Sequence, residues 1–235
     1  MSDASAPPEA PPEAALGAAA ALASAAPPVF SRADFQARTG ASDLQMSDLD
    51  AFLVLLTEWN EKMNLVGPSA LADFWGRHAF DSAQLLTFAP DALSWADLGA
   101  GAGFPGMVLA ILLKGRPGAH VYLVESTIKR CTFLKAVVAE LALPATVCNE
   151  RAESLSLKVD VVTARALAPM EKLLRYAWPY LKAGAEGLFL KGQDVEVELR
   201  GASRYWKLDV QLAQSLSHPS GRVVHLRKAV YVQRR

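Results

Sequence analysis

Asp97-Leu98-Gly99-Ala100-Gly101-Ala102-Gly103-Phe104-Pro105-Gly106 is the stretch whose reading decides the fold. A short apolar run, Leu93 to Ala96, leads into it, and a helix-like apolar run, Met107 to Leu113, leads out. Strand, glycine-rich turn and helix in that order make the first half of a nucleotide-type cofactor site. Glycine reaches backbone angles that other residues avoid, and without a Cβ it lets a ligand approach the main chain. The helix that follows offers free N–H groups and the positive end of its dipole to an electron-rich ligand.

The glycine spacing bears on which ligand. A dinucleotide turn reads G-x-G-x-x-G, its third glycine allowing close helix–strand packing. Here Gly99, Gly101 and Gly103 read G-x-G-x-G, and Phe104 stands where the third glycine belongs. Asp97, two residues before the first glycine, would repel a pyrophosphate. It suits a ligand with an ammonium or sulfonium group, such as S-adenosylmethionine. The other reading of Asp97 is a cap for the turn or the helix.

Outward from the turn, the chain alternates strand and helix. Strands are predicted over Leu93–Leu98, His120–Val124, Ala145–Cys148, Val159–Thr163, Gly187–Leu190, Val210–Leu216 and Arg222–Val232. Helices are predicted over Met107–Leu113, Thr127–Leu141, Met170–Leu181 and Val195–Trp206. The link His218-Pro219-Ser220-Gly221 is short enough for an antiparallel hairpin between the last two strands. This alternation predicts an α/β fold with a doubly wound, mostly parallel, Rossmann-like sheet over residues 91–235. Ligands of such sheets lie at the carboxyl ends of the strands, where strand order reverses.

Residues 29–90 read as a small N-terminal helical cap. Ser31 with Asp34, and Ser47 with Asp50, resemble helix N-caps with first-turn acids. Phe52, Leu53, Leu56, Trp59 and Met63 keep helical spacing, and Gly67-Pro68 ends that helix. A second helix is predicted over Leu71–Leu86. Residues 1–28 are an Ala/Pro-rich tail expected to be disordered.

Of the 235 residues, 51% are hydrophobic, enough for a sizeable core in one main domain plus extras. No apolar run reaches the roughly 18 residues of a membrane span. The Ala-rich, acidic N-terminus is a poor signal or transit peptide. Cys131 and Cys148 form no C-x-x-C. A cytoplasmic chain with reduced thiols, no membrane and no metal is expected. Net charge is zero but uneven: residues 151–235 hold fifteen Lys and Arg against eight Asp and Glu. That excess suggests an anionic partner on one side, or a solvated basic face.

The candidate site residues fall at predicted strand ends. Glu125, with Ser126 beside it, ends strand two, where an acid suits ribose hydroxyls or caps the next helix. Ala152-Glu153 follows strand three, where adenine would lie, unless Glu153 is a surface acid. Arg165 ends strand four with a fork of donors for the cofactor carboxylate, an RNA phosphate or a structural ion pair. Arg77-His78 and Asp81-Ser82 share one helical face, and His78 either meets substrate or satisfies a helix contact. Asn64 is equally open. His120, His218 and His225 have no metal spacing. There is no G-x-S-x-G and no nucleophilic Cys with a clear partner, which fits direct transfer between positioned reactants.

Taken in order, Asn64-Leu65, Arg77-His78-Ala79-Phe80-Asp81-Ser82, the Asp97–Gly106 turn, Glu125-Ser126, Lys129-Arg130, Phe133-Leu134, Thr163-Ala164-Arg165-Ala166 and Leu190-Lys191-Gly192 resemble the small-subunit ribosomal RNA methyltransferases of the GidB (RsmG) type. The resemblance covers about residues 45–195. It implies a class I S-adenosylmethionine-dependent methyltransferase that acts on guanine N7 in the 530-loop region of bacterial 16S rRNA. It places Gly99, Phe104, Ala152, Glu153 and Arg165 at the cofactor, with Glu125 near the ribose. Asp97, Gly101, Gly103 and Ser126 join them from the motif, and His78 joins Arg165 as a positioning candidate. The family often has Ser at Ala164 and Asp at Glu125. Guanine N7 has a free lone pair, so such transfer needs alignment and a fitting field rather than a base. Arg222, Arg227, Lys228, Arg234 and Arg235 are candidates to track RNA phosphates of 16S rRNA or the small subunit. The chain is expected to be a monomer. The rival readings are a nicotinamide dinucleotide oxidoreductase and a non-catalytic RNA-binding assembly factor.

Overall fold

Serine-led capping boxes open the first two helices. The structure is a computed structural model that describes residues 30–67 and 71–232. The tail 1–28, Pro68, Arg234 and Arg235 lie outside the described residues. Helix α1 (Arg32–Thr39) starts at Ser31, whose backbone N–H donates to Asp34 Oδ2 at 2.8 Å. Gly40, with φ 68°, ends it in the left-handed conformation. Helix α2 (Asp43–Met63) then starts at Ser42 with Gln45 closing the box, not at Ser47 with Asp50. The early glycine stop restarts the chain sooner than expected, so Ser47 falls inside α2. Asp50 instead pairs with Arg32 at 2.8 Å, joining the two helices. Asn64, with φ 48°, closes α2 before Gly67 is reached.

The helix expected over Leu71–Leu86 is broken. A π-helical segment, Phe74–Phe80, runs into α3 (Asp81–Ala83) and α4 (Leu85–Phe88). The Asp81 N–H reaches back five residues to Gly76 O. Phe74 and Ala79, five apart, are both buried, so the apolar spacing here suits the wider turn.

Seven strands follow: β1 (Ser94–Leu98), β2 (His120–Val124), β3 (Ala145–Cys148), β4 (Val161–Arg165), β5 (Glu186–Lys191), β6 (Trp206–Gln214) and β7 (Arg222–Tyr231). Their order is β3-β2-β1-β4-β5-β7-β6. All pairs are parallel except β5–β7 and β6–β7. Helices α5 (Gly106–Leu113), α6 (Ile128–Glu140), α7 (Met170–Lys182) and α8 (Val195–Ala202) connect them. Most boundaries shift by a residue or more from expectation, and two of the shifts have a plain cause. β4 begins two residues late because Asp160 bends the chain, its Oδ2 accepting the N–H groups of Leu93 and Ser94. At its other end the strand pairs on to Arg165, opposite Leu190, and Arg165 is its last residue. The helix expected to reach Trp206 stops at Ala202, and Trp206 instead opens β6, buried between Trp178 and Tyr231 with ring centroids 5.2 and 5.1 Å away.

The cap packs on the same sheet face as α5 and α6, in a core holding Phe52, Phe74, Trp95, Met107 and Phe133. That cover explains why α5 is apolar almost all round. Helices α7 and α8 fill the opposite face with Leu173, Tyr180, Phe189 and Trp206. Strand order reverses between β1 and β4, so the carboxyl ends of those strands frame the crevice where ligands bind.

The antiparallel β7 corrects one expectation about the basic residues. Arg222 pairs with Lys191 at the carboxyl end of β5, while Leu226 pairs with Gly187 near its start. Arg227 and Lys228 continue past Leu226 and lie at the far edge of the sheet. Arg222, Arg227 and Lys228 thus do not form one face. No helix of the described residues is long and apolar enough to cross a membrane.

Candidate functional site

The glycine turn is held from both sides. Gly99, Gly101 and Gly103 have φ of 68°, 56° and 97°, angles that favour glycine. The N–H groups of Gly99 and Ala100 donate to Val124 O at 2.8 and 3.1 Å, anchoring the turn on β2. Glu125, next in the chain, closes over it. Its Oε2 accepts from Gly101 N at 3.0 Å and its Oε1 from Thr127 N at 2.7 Å. One buried carboxylate therefore fixes the turn and the start of α6 together. Each oxygen retains a lone pair for a further donor.

Asp97 sits beneath the turn with no exposure. Its Oδ2 accepts the Gly106 N–H at 2.9 Å, so it does cap α5. A Cβ on Gly106 would lie 2.7 Å from both Cβ and Oδ2 of Asp97, and would also strike Leu123. Asp97 Oδ1 is buried with no hydrogen-bond partner among the described residues. Burial pushes the carboxyl up from 3.8 to about 7, against the opposing pull of the Gly106 N–H and Arg165. The folded state thus holds this proton more firmly than the unfolded chain, and stability declines as pH rises from 3.8 through 7. Asp97→Asn keeps an acceptor for Gly106 but cannot ionise. Its stability relative to the parent is expected to rise between pH 5 and pH 8, measured as urea midpoints. A difference constant with pH would contradict the assignment.

Two clefts open at the carboxyl edge of the sheet. The first, of about 300 Å³, is lined by Gly99, Glu125, Ser126, Ala152, Glu153 and Arg165, with Tyr176 at its wall. The second, of about 390 Å³, is lined by Arg77, His78, Asp81, Arg165, Ser217 and His218 among others. Arg165 and Ala166 belong to both. Ala166 holds φ 52°, a left-handed conformation rare for a residue with a Cβ, at the point where the clefts meet.

Arg165 is placed by three contacts. Its Nη1 donates to Arg77 O at 3.2 Å and lies 4.0 Å from Asp81 Oδ2. Its guanidinium carbon stands 4.9 Å from the Phe104 ring centroid, within cation–π range. Phe104 is itself buried against Phe52 and Phe74, and His78 stacks on it at 4.9 Å. Both His78 ring nitrogens are buried and have no hydrogen-bond partner among the described residues. Burial, reinforced by Arg165 and Arg77, pulls its pKa from 6.5 to about 3. His78 is neutral near pH 7 and acts there as a flat, uncharged ring. Unfolding takes up a proton at this residue below pH 6.5, so stability falls as pH drops toward 3. His78→Phe is expected to make that fall shallower in melting temperatures measured below pH 6.5; parallel curves would contradict this.

Of the residues singled out from the sequence, Gly99, Glu125, Ser126, Ala152, Glu153 and Arg165 meet in the first cleft, and His78 meets Arg165 in the second. Asp97, Gly101, Gly103 and Phe104 line neither and form the layer behind the wall. Asp81, Ser217, Tyr176 and Gly106 had no assigned place. Asp81 stands in the Arg77–Ser82 segment, which carried the signal. Ser217 was hidden by a strand expected to run to Leu216, whereas β6 ends at Gln214. Among the described residues no group of three or more His, Cys, Asp or Glu is placed to hold a metal ion.

The first cleft fits an adenosyl sulfonium cofactor. It offers a carboxylate with free lone pairs, a glycine wall and an arginine, and Asp97 leaves one oxygen open in the layer behind. Among solved structures, the chain resembles a SAM-dependent methyltransferase from Aquifex aeolicus, with TM-score 0.51, 16% identity, and coverage of 72% of this chain and 97% of that one. It also resembles magnesium protoporphyrin IX methyltransferase from Synechocystis with bound SAM, with TM-score 0.53, 16% identity, and coverage of 80% and 99%. These likenesses speak to the fold. Sequence relatives are much nearer. Ribosomal RNA small subunit methyltransferase G of Caulobacter vibrioides is 60% identical over 207 residues, 88% of this chain and 96% of that protein. The same-named protein of Bradyrhizobium sp. ORS 278 is 48% identical over 180 residues, 75% and 81% of the two chains. The family model described as rRNA small subunit methyltransferase G matches residues 45–226, and the chain belongs to this GidB family.

Proposed function

We propose that this chain transfers a methyl group from S-adenosylmethionine to N7 of a guanine in the 530-loop region of 16S rRNA, as a monomer in the cytoplasm. The observation that carries the reading is the pair of clefts sharing Arg165 and Ala166 at the reversal point of the sheet. One cleft has the groups for a nucleoside cofactor, and the other has the greater volume and is edged by Arg77 and Arg165 for a polyanionic substrate. Family membership and 60% identity to a named rRNA methyltransferase support the same reading.

Glu125 is the proposed partner of the ribose hydroxyls, with Ser126, Ala152 and Glu153 around the base. Gly99 forms the main-chain wall, and Gly101 and Gly103 shape the turn behind it. Asp97 places a buried carboxyl below the turn, with Oδ1 open. When bound, S-adenosylmethionine supplies an electrophilic methyl on a sulfonium. Guanine N7 presents a lone pair and no proton, so no side chain has to act as a base. Arg165 is the proposed catalytic residue, holding the reactants in line across the shared wall, with Phe104 and His78 packed against it as positioning residues.

The rival oxidoreductase is disfavoured by Phe104 at the third-glycine position and by Asp97 below the turn. A non-catalytic RNA-binding role is separated by turnover. Incubation of the protein with tritiated S-adenosylmethionine and small subunits or naked 16S rRNA is expected to label one guanine. RNA binding without incorporation, or tight NAD binding without response to S-adenosylhomocysteine, would overturn the proposal.

A further inference from the structure

Among the described residues that line the second cleft, Asp81 is the only acid. Its two oxygens are used unequally. Oδ1 accepts three hydrogen bonds: from Ser217 Oγ at 2.6 Å, Gln84 Nε2 at 2.8 Å and Ser215 Oγ at 2.9 Å. Ser215 is buried, and Gln84 is 2% exposed and binds the Leu216 N–H through its own Oε1 at 2.8 Å. The network locks the loop after β6 to the start of α3 and leaves the carboxylate one orientation. Oδ2 accepts no hydrogen bond among the described residues, and its nearest cation is Arg165 Nη1 at 4.0 Å. A fixed acceptor thus stands beside a fixed donor in the cleft.

We infer that Asp81 is a specificity-determining residue whose Oδ2 accepts hydrogen bonds from N1–H and the N2 amine of the target guanine. This rests on the proposed methyl transfer to guanine and names the contact that selects the base. The Watson–Crick edge of guanine presents two adjacent donors, N1–H and N2–H, followed by the O6 acceptor. A carboxylate oxygen beside a guanidinium matches that edge. Adenine presents an unprotonated N1, which a carboxylate repels, and its exocyclic amine lies where guanine has O6. Lys191, also in this cleft, does not compete for Asp81, because its ammonium is held by Glu198 at 2.6 Å and Ala168 O at 3.0 Å. A rigid, charged acceptor is the kind of group by which sites reject an analogue that lacks the donor.

The test uses two synthetic, unmethylated RNAs carrying the target loop, with guanosine or inosine at the target position. Inosine keeps N7, O6 and N1–H and lacks only the N2 amine. The parent protein is expected to favour guanosine in kcat/KM by roughly tenfold or more. Asp81→Asn retains an oxygen for Ser215, Ser217 and Gln84 but places an amine donor where the acceptor stood. Its guanosine-to-inosine ratio is expected to collapse toward one. The ratio is internal to each protein, so a partly inactive preparation does not alter it, and the difference in N7 reactivity between the bases is common to both. An equal ratio in parent and variant, or no preference in the parent, would overturn the inference while leaving the proposed activity intact. Equilibrium binding of the same RNAs gives a readout without turnover. Asp81-dependent preference in binding with no methyl incorporation would uphold the base contact and overturn the proposed activity instead.

Discussion

Gly106→Val is expected to lower the free energy of unfolding by about 3–5 kcal/mol, the sum of overpacking and the loss of one buried hydrogen bond that leaves its partners unsatisfied. The first Cβ atom already lies 2.7 Å from Asp97 Cβ and Oδ2. The Asp97 Cβ is fixed by the backbone of a central strand, and the fully buried carboxyl has no room to swing away. Relief requires α5 to move off β1, which stretches the Gly106–Asp97 bond of 2.9 Å. With total stability of order 5–15 kcal/mol, the variant is left marginal. Chemical unfolding followed by circular dichroism measures this. Gly106→Ala is expected to show the same effect in smaller degree, and a Val variant within 1 kcal/mol of the parent would refute the packing argument.

Arg165→Ala is expected to lower kcat/KM for methyl transfer by tenfold or more, at least about 1.4 kcal/mol of transition-state stabilisation. The guanidinium is the side chain that both clefts share, and Arg77 O, Asp81 and Phe104 hold it there. Truncation removes the wall and the donor together, so the two reactants lose alignment even where each still binds. Arg165→Lys restores the charge but neither the flat fork nor its stacking on Phe104, and is expected to recover little. Methyl-transfer kinetics beside a calorimetric titration of S-adenosylhomocysteine separate loss of catalysis from loss of cofactor. Unchanged kinetics in a folded variant would remove Arg165 from the site.

Much of the architecture was legible because its signals are local. His120–Val124 and Ala145–Cys148 are strands with the bounds their apolar runs suggest, and the short link before Arg222 does turn the chain into an antiparallel hairpin. The errors arose where distant contacts decide. Ser47–Asp50 has the spacing of a cap, but Gly40 ends α1 early and Ser42 takes the role. Trp206 extends a helical pattern yet opens a strand, because Trp178 and Tyr231 bury it there. The basic carboxyl-terminal residues look like one patch in sequence, and only the direction of β7 reveals that Arg222 and Lys228 stand at opposite edges. Strand ends pointed to Glu125 and Arg165. Nothing local pointed to Ser215 and Ser217, whose partner Asp81 lies 134 and 136 residues away.

The shared wall at Arg165 and Ala166 has a thermodynamic consequence. Any linkage between two sites that share a side chain is reciprocal. Any factor by which an occupant of the proposed cofactor cleft raises affinity for RNA must be returned, unchanged, as a gain in cofactor affinity when RNA is bound. Order of addition then has no influence on the ternary equilibrium, and a substitution at this wall alters the coupling free energy as well as either affinity taken alone.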